Sequence, residues 1–161
     1  MKIKSVRCDN RKKAFEVSTG GSTYWFPFAK LRLRPTSTNP VARVFVDEDL
    51  GREAFSYELQ SGDEGTVPID EVLDYNRDPR YLRDLLLYKL TLVAQERVRT
   101  SPLGKREMIR RLGTSPAQFY RLLDQTNYTK SLDQLLALLS VLDCEVDLVV
   151  KKAGRRETAA V

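Results

Sequence analysis

Histidine is absent from the sequence, and there are only two cysteines. Without an imidazole, the chain has no histidine general base, no Ser-His-Asp triad and no histidine metal ligand. Cys8 and Cys144 are far apart in sequence and form no C-x-x-C pattern. We therefore expect two reduced thiols, and neither a disulfide nor a zinc site. These absences exclude several common catalytic and metal-binding classes, and we expect no cofactor and no bound metal.

Long apolar runs are also missing. No stretch approaches the roughly 20 apolar residues of a membrane-spanning helix, and the N-terminal residues lack the apolar core of a signal peptide. The 161 residues, of which 42% are hydrophobic, suffice for one ordinary domain or two small ones. We expect a cytoplasmic protein that does not enter a membrane.

The formal net charge of +5 is unevenly distributed along the chain. Residues 1–79 carry 12 basic and 13 acidic side chains, whereas residues 80–161 carry 15 basic and 9 acidic ones. A basic excess in one half favours a polyanionic partner for that half. An ordinary solvated surface is the alternative, because charge alone does not distinguish the two.

Residues 1–77 have the patterns of short β-strands. Apolar and polar side chains alternate in "KIKSVRC" and "AFEVST", and Gly20-Gly21 predicts a hairpin turn before "STYWFPF". A second hairpin is predicted around residues 49–51, and "IDEVLDY" predicts a short helix. About six strands and one helix indicate a small antiparallel sheet with one face covered.

The same region contains the aromatic and basic stretch "YWFPFAKLRLRP". Its aromatic side chains are expected in the core. Its cations, Lys30, Arg32 and Arg34, could bind a partner or extend a nucleic-acid contact.

A long helix is predicted after this region. Asp78 is a good N-cap, and Pro79 is a good first helical residue. The next 20 or so residues contain neither glycine nor proline, and their leucines keep helical spacing. We therefore place a helix over about 79–99 and begin a second domain at residue 78.

Two short helices are predicted on either side of "GTS" at 113–115. Gly104 can cap the first helix, with the carboxylate of Glu107 reaching back to free backbone amides. Gly113 stands where a helix end needs a left-handed residue. Ser115 and Gln118 form a capping box around Pro116 at the start of the second helix. This pattern is typical of a helix-turn-helix.

The chain continues with a leucine-rich helix after Ser131 and then an alternating segment, "CEVDLVVKK". Val146, Leu148 and Val150 predict one face of a β-strand. A lone strand needs a partner, which could be its copy in a homodimer or the N-terminal sheet of the same chain. Residues 153–161 are expected to form a flexible tail.

The string "LGKREMIRRLGTSPAQFYRLLDQTNYTKSLDQLLALLSVLDCEV" resembles the lambda-repressor-like (Xre-type) DNA-binding domain, especially that of antitoxin-type repressors. The resemblance covers about residues 79–152. The position of the turn, the capping residues and the spacing of the apolar residues all agree with the family pattern. Three positions depart from it: Lys105 stands where glutamine is usual, Ile109 where a small residue is usual, and Thr114 where an apolar residue is usual.

The resemblance implies an α+β fold class. A small antiparallel β-sheet domain over 1–77 would precede an all-α lambda-repressor-like helix-turn-helix bundle with a terminal β-strand over 78–152. It also implies that the second helix of the pair enters the major groove of double-stranded DNA. The side chains expected to read bases there are Ala117, Gln118, Tyr120 and Arg121.

Each of these assignments has a structural alternative. Arg121 could form a surface ion pair with Asp124 or Asp133, Gln118 could serve only as a cap, and Tyr120 could cover the helix edge. Contacts to the DNA backbone are expected from residues around the helix pair and the loop after it. These residues are Lys105, Arg106, Arg110, Ser115, Asn127, Tyr128, Thr129 and Lys130.

The function that the resemblance implies is sequence-specific DNA binding by a non-enzymatic transcriptional regulator. It would be a repressor, or the antitoxin of a toxin–antitoxin pair, and would bind its operator as a homodimer. The string "VFVDEDLGREAFSYELQSGDEGTVPIDEVL" is similar to a small β-rich domain family of unknown function encountered near toxin genes. This similarity favours a sensing or partner-binding role for residues 1–77, with a toxin as the candidate partner.

Two other classes of protein stay open. The helical half could be a protein-interaction module that no longer reads DNA, which the departures at Ile109 and Thr114 favour. The acidic pairs of the N-terminal half could instead hold Mg²⁺ in an enzyme subunit, although such pairs are more typical of solvated turns.

Overall fold

The computed structural model describes residues 1–153, which form two compact units, Met1–Tyr81 and Leu82–Lys152. The division falls within a helix, four residues after the predicted boundary at residue 77. None of the described helices is both long enough and apolar enough to cross a bilayer.

The N-terminal unit contains six strands among the described residues, followed by a helix. Along the second strand the buried Phe15, Val17 and Thr19 alternate with the half-buried Glu16 and Ser18, as the sequence pattern predicts. A single turn of 3-10 helix, Phe28–Lys30, follows the third strand. The elements are β1 Ile3–Asp9, β2 Ala14–Thr19, β3 Thr23–Pro27, β4 Val41–Val46, β5 Ala54–Leu59, β6 Glu64–Pro68 and α1 Ile69–Asn76.

These strands form two antiparallel sheets of three strands each, in the orders β1-β2-β3 and β4-β5-β6. The predicted fold class, with a single N-terminal sheet and a terminal strand after the helices, is therefore wrong. Residues 28–40 separate β3 from β4 and include Pro35 and Pro40, which have no backbone N–H to donate to a ladder. Among the described strands, each group of three consecutive strands pairs only within itself.

Aromatic side chains fill the core of this unit. The ring of Phe15 lies 4.9 Å from that of Phe55 and 5.2 Å from that of Tyr57, measured between centroids. The Tyr57 hydroxyl donates to the carbonyl of Leu33 at 2.6 Å, which satisfies the one polar atom of this buried ring. Gly65 of β6 lies directly opposite Tyr57 and leaves room for the ring.

Asp78 caps the next helix, α2, which spans Pro79–Thr100. Its Oδ1 accepts hydrogen bonds from the backbone N–H groups of Arg80 at 3.1 Å and Tyr81 at 3.0 Å. Its Oδ2 accepts from the hydroxyl of Tyr24 on β3 at 2.9 Å. These hydrogen bonds, led by the one from Tyr81, lower the pKa of Asp78 below its usual value. The same carboxylate therefore starts α2 and ties that start to the first sheet.

Replacing Asp78 with alanine should lower the free energy of unfolding by about 1–2 kcal/mol at pH 7, because the cap and the tyrosine contact are both lost. In the unfolded chain the pKa of this aspartate is near 4, and above that pH its carboxylate stabilises the fold fully. This stabilisation is lost as the pH falls towards the lower pKa that Asp78 has in the folded protein. Urea denaturation at pH 7 and pH 3 measures the difference. Asp74→Ala removes the same charge from an exposed site on α1 and should change stability little. Equal effects of the two variants would contradict the assignment.

The described elements of the second unit are helices. After α2 these are α3 Lys105–Leu112, α4 Pro116–Leu123 and α5 Leu132–Val141. Their apolar faces form one cluster, in which Met108, Phe119, Leu135, Leu138 and Leu139 are fully buried. Burial of one face of each short helix is the main source of their stability, since isolated helices of eight to ten residues are marginal in water.

The predicted terminal strand is not formed. Residues 144–153 belong to no helix or strand, and Leu148 and Val150 are 80% and 86% exposed. Alternation of side chains is insufficient because a strand needs a neighbour for its backbone N–H and C=O groups. The terminal strand of the predicted fold is therefore absent from the single chain, and pairing of Val146, Leu148 and Val150 with a second copy stays a prediction. The predicted tail, 153–161, lies outside the described residues except for Ala153.

Candidate nucleic-acid interface

A tight turn joins α3 to α4. Gly113 has φ of 69° and ψ of 32°, the left-handed conformation that ends α3, and its N–H donates to the carbonyl of Ile109 at 3.0 Å. The Ser115 hydroxyl accepts from the backbone N–H of Gln118 at 3.2 Å, with Pro116 at the first helical position. Both predicted caps are confirmed, so the turn comprises only Gly113, Thr114 and Ser115.

Helix α4 buries one face and exposes the other. Phe119 and Leu122 point into the helical core. Each of the four predicted base-reading side chains lies on the exposed face: Ala117, Gln118, Tyr120 and Arg121. These four side chains are therefore accessible to solvent on one face of α4.

The side chains of Arg121 and Gln118 form no hydrogen bond or ion pair with other described residues. Among residues 1–153 the guanidinium of Arg121 forms no ion pair, so the alternative pairs with Asp124 and Asp133 are not made. Ser115 and Gln118 form only one half of the predicted capping box, because the bond to Ser115 comes from the Gln118 backbone. Hydrogen-bonding groups of both side chains are therefore available to a ligand.

Tyr120 and Lys105 meet across the turn. The Lys105 ammonium lies 5.7 Å from the centroid of the Tyr120 ring, within the range of a cation–π contact. The ring also packs edge-on against Phe119, at 5.5 Å between centroids, and remains 53% exposed. This contact places an ammonium from the start of α3 beside the exposed face of α4.

Glu107 does not cap α3 as the sequence predicted. Its carboxylate accepts hydrogen bonds from the guanidinium groups of Arg110, at 2.5 and 2.9 Å, and Arg111, at 2.9 Å. These bonds, the one from Arg110 first, lower the pKa of Glu107 to about 2. Two arginines attract the carboxylate more strongly than neutral backbone amides do, which explains the error. Arg106 forms no ion pair within the described chain, unlike Arg110.

The loop after α4 uses most of its polar groups internally. The Asn127 Oδ1 accepts from the backbone N–H of Thr129 at 3.1 Å and from its hydroxyl at 2.7 Å, while its Nδ2 donates to the carbonyl of Arg121 at 3.4 Å. These bonds fix the loop against the end of α4. The Tyr128 side chain is 43% exposed and remains accessible.

Lys130 lies inside this loop, with its ammonium group among protein oxygens. The Nζ donates to the carbonyl of Asp124 at 2.6 Å, the hydroxyl of Thr91 at 2.8 Å and the carbonyl of Leu122 at 3.0 Å. Burial lowers the pKa of the ammonium, and the charge of Asp124 partly opposes that shift. All three N–H donors are used, so Lys130 joins the end of α4 to α2 and is not part of the interface proposed below.

Replacing Lys130 with methionine should destabilise the helical unit by about 1–2 kcal/mol, because the apolar stem is kept and three hydrogen bonds are lost. Urea denaturation followed by circular dichroism measures this change. Lys89→Met, at an exposed position of α2, is the matched control and should be neutral. Unchanged stability with a selective loss of nucleic-acid binding would instead assign Lys130 to a phosphate contact.

Among the acidic groups of the N-terminal unit, Asp47, Glu48 and Asp49 lie at a turn, Asp63 and Glu64 lie where β6 begins, and Asp70 and Glu71 lie in the first turn of α1. Asp47 accepts hydrogen bonds from the hydroxyl of Ser56 at 2.9 Å and the backbone N–H of Leu50 at 3.1 Å. Within residues 1–153 there is no group of three or more histidine, cysteine, aspartate or glutamate side chains placed to hold a metal ion.

Sequence reasoning missed two features. The structural role of Lys130 depends on Thr91, 39 residues away, and no local pattern reports such a contact. A cleft bordered by Lys13 and Arg34 was also missed as a unit, although Arg34 belongs to the basic stretch noted above. No known protein family, characterised protein or solved structure matches the chain in sequence or fold comparisons.

Proposed function

We propose that the protein is a non-enzymatic, sequence-specific DNA-binding transcriptional regulator that places α4 in the major groove of double-stranded DNA. The observation that carries this proposal is the exposed face of α4, on which Arg121 and Gln118 have no protein partner for their side chains. Unpaired polar groups on an exposed helix face can hydrogen-bond to base edges without first breaking a contact within the protein. The resemblance of residues 103–146 to Xre-type DNA-binding domains supports the same conclusion.

Arg121 is the principal reader of sequence in this proposal. Its planar guanidinium can donate two parallel hydrogen bonds to O6 and N7 of guanine, and this fork discriminates against other bases by about 1–3 kcal/mol. Gln118 can pair in the same way with adenine, and the methyl group of Ala117 can contact the methyl group of thymine. The three side chains lie within five consecutive residues of one short helix.

Contacts to the phosphate backbone come from the turn and from α3. Lys105 and Arg106 supply charge that no carboxylate of the described chain neutralises, whereas Arg110 shares Glu107 with Arg111. The hydroxyl of Tyr120 can donate to a phosphate from the edge of α4. These contacts orient the helix and give the binding its salt dependence, but they do not read sequence.

The regulator acts as a homodimer in this proposal. One helix with three reading side chains addresses only about three base pairs, which is too little to select an operator from a genome. Two copies that read inverted half-sites about one helical turn apart double that information. Residues 146–150 form no strand in the single chain, and their alternating apolar side chains remain the proposed contact between the two copies.

The regulatory sense is repression, in the manner of an antitoxin that represses its own genes. This part of the proposal is supported by the antitoxin-type resemblance of the helical half. It is also supported by the similarity of the N-terminal half to small domains encountered near toxin genes. The N-terminal unit would then bind the toxin as its protein partner.

Selection of DNA fragments tests this function. The purified protein is incubated with sheared DNA from its own source at about 150 mM salt, which suppresses purely electrostatic binding, and the retained fragments are sequenced. We expect a few inverted-repeat sites, absent with Arg121→Ala and retained with Arg83→Ala, which removes an exposed arginine elsewhere in the same unit. Uniform retention, or no retention, would overturn the proposal.

A further inference from the structure

A cleft of about 440 Å³ opens in the surface of the N-terminal unit. It lies between the turn that joins β1 to β2 and the segment that joins β3 to β4. Its volume is within the range of small-molecule sites. The ring of Phe28 and the side chains of Pro35 and Pro40 line its apolar part.

The polar part of the cleft combines two cations with the neutral polar side chains of Asn10, Thr36 and Ser37. Lys13 and Arg34 border it, and no aspartate or glutamate contributes to its lining. Within the described chain the side chains of these two cations form neither an ion pair nor a hydrogen bond, and the hydroxyl of Ser37 is equally unengaged. Two cations and a hydroxyl around an apolar floor, with no acid present, form an environment suited to an oxyanion attached to an apolar body.

Lys13 has a backbone conformation that its residue type disfavours. Its φ is +50°, in the left-handed region where glycine and asparagine are the usual occupants. The conformation is held because the Lys13 carbonyl accepts a hydrogen bond from the N–H of Phe28 at 2.8 Å.

The opposite wall of the cleft is preformed. The buried Tyr57 hydroxyl donates to the carbonyl of Leu33, immediately before Arg34. Thr36 and Asn39 exchange backbone hydrogen bonds at 3.1 and 3.2 Å, which closes the turn that carries Ser37. The Asn39 side chain is tied in turn to Ser61, with its Nδ2 donating to the hydroxyl at 3.0 Å and its Oδ1 accepting from the N–H at 2.9 Å. Because this wall is already ordered, ligand binding there causes little further loss of conformational entropy.

We propose that this cleft binds a nucleoside monophosphate. The phosphate dianion matches the two positive charges at the border of the cleft, those of Lys13 and Arg34, and can accept a hydrogen bond from Ser37. The nucleoside covers the ring of Phe28 and the two prolines, and a mononucleotide is of a size that such a cleft accommodates. This site lies wholly within the N-terminal unit and does not depend on DNA binding by the helical unit.

Isothermal titration calorimetry on the full chain tests the proposal, with AMP, GMP, CMP and UMP as probes and adenosine and inorganic phosphate as comparisons. We expect at least one monophosphate to bind with a dissociation constant below about 1 mM, and adenosine and inorganic phosphate to bind at least about tenfold more weakly. The proposal is overturned if none of the four monophosphates binds, or if adenosine or inorganic phosphate binds equally well.

Two variants locate the binding. Arg34→Gln and Lys13→Gly should each weaken the affinity about tenfold. Lys13→Gly should do so without lowering the thermal midpoint, because glycine adopts the local backbone conformation without strain. Lys4→Gln is the control, since it removes a cation near the other end of β1, about 20 Å along the strand. Unchanged affinity in both cleft variants, or an equal loss in Lys4→Gln, would refute a site in this cleft.

Discussion

Replacing Arg121 with alanine should weaken binding to the operator about 5- to 150-fold for each half-site, while binding to unrelated DNA changes by only about twofold. The range follows from the 1–3 kcal/mol that one guanidinium–guanine pair contributes to discrimination. Arg121 is exposed and its side chain has no partner in the described chain, so its removal should leave the fold intact. Fluorescence anisotropy with a labelled operator and a scrambled duplex, at about 150 mM salt, measures both affinities.

Arg121→Lys separates charge from geometry. Lysine keeps the positive charge but lacks the planar fork, so this variant should retain nonspecific affinity and lose most of the preference for the operator. A second test replaces the contacted guanine in the DNA. This change of base should weaken operator binding by the wild type by the same factor as Arg121→Ala does. It should leave the affinity of Arg121→Ala almost unchanged. Operator binding by Arg121→Ala at wild-type strength would remove Arg121 from the reading surface.

Replacing Gly65 with alanine should lower the stability of the N-terminal unit by about 2–4 kcal/mol. A Cβ at this position would overlap the Tyr57 ring and hydroxyl, and would lie only 2.7 Å from ring carbon Cε1. The ring cannot easily move aside, because it is 2% exposed, packs on Phe15 and donates its hydroxyl hydrogen bond to Leu33. Relieving the overlap therefore costs core packing, the hydrogen bond or the β5–β6 pairing.

Urea denaturation followed by the fluorescence of Trp25 measures this loss, since Trp25 is the one tryptophan of the chain and lies in the same unit. Gly21→Ala is the matched control, because no heavy atom lies within 4 Å of the added carbon there. The cost of Gly65→Ala should also shrink when Tyr57 is first replaced with alanine, which removes the obstructing ring. Identical denaturation midpoints for Gly65→Ala and Gly21→Ala would show that the ring accommodates the extra carbon.

Local features were predictable because they depend on residues close in sequence. Gly113 ends α3 and Ser115 caps α4, as the sequence predicts. A left-handed helix end favours glycine, and an N-cap favours a short side chain with an oxygen. Asp78 caps α2 for the same reason. Exposure of Ala117, Gln118, Tyr120 and Arg121 follows from the spacing of Phe119 and Leu122 on an eight-residue helix.

Features that depend on distant residues were predicted less well. Glu107 has a local capping pattern, but two arginine side chains compete successfully for its carboxylate. Lys130 resembles any surface lysine in sequence, and only the packing of α2 against the loop after α4 turns it into a triple donor. The side chains around the cleft come from two separate turns of the N-terminal unit.

The sequence by itself determined the described helices, the six N-terminal strands, the caps at Asp78, Gly113 and Ser115 and the side chains that α4 exposes, because propensity, periodicity and capping act over a few residues. Only the tertiary structure decided that the six described strands pair as two sheets, and that residues 146–150 remain without a strand partner. Strand pairing joins residues that are distant in sequence, and the alternation of side chains specifies a face but not a neighbour. The same holds for the cleft beside Lys13 and Arg34, whose walls meet only when the sheet and its long connection are folded.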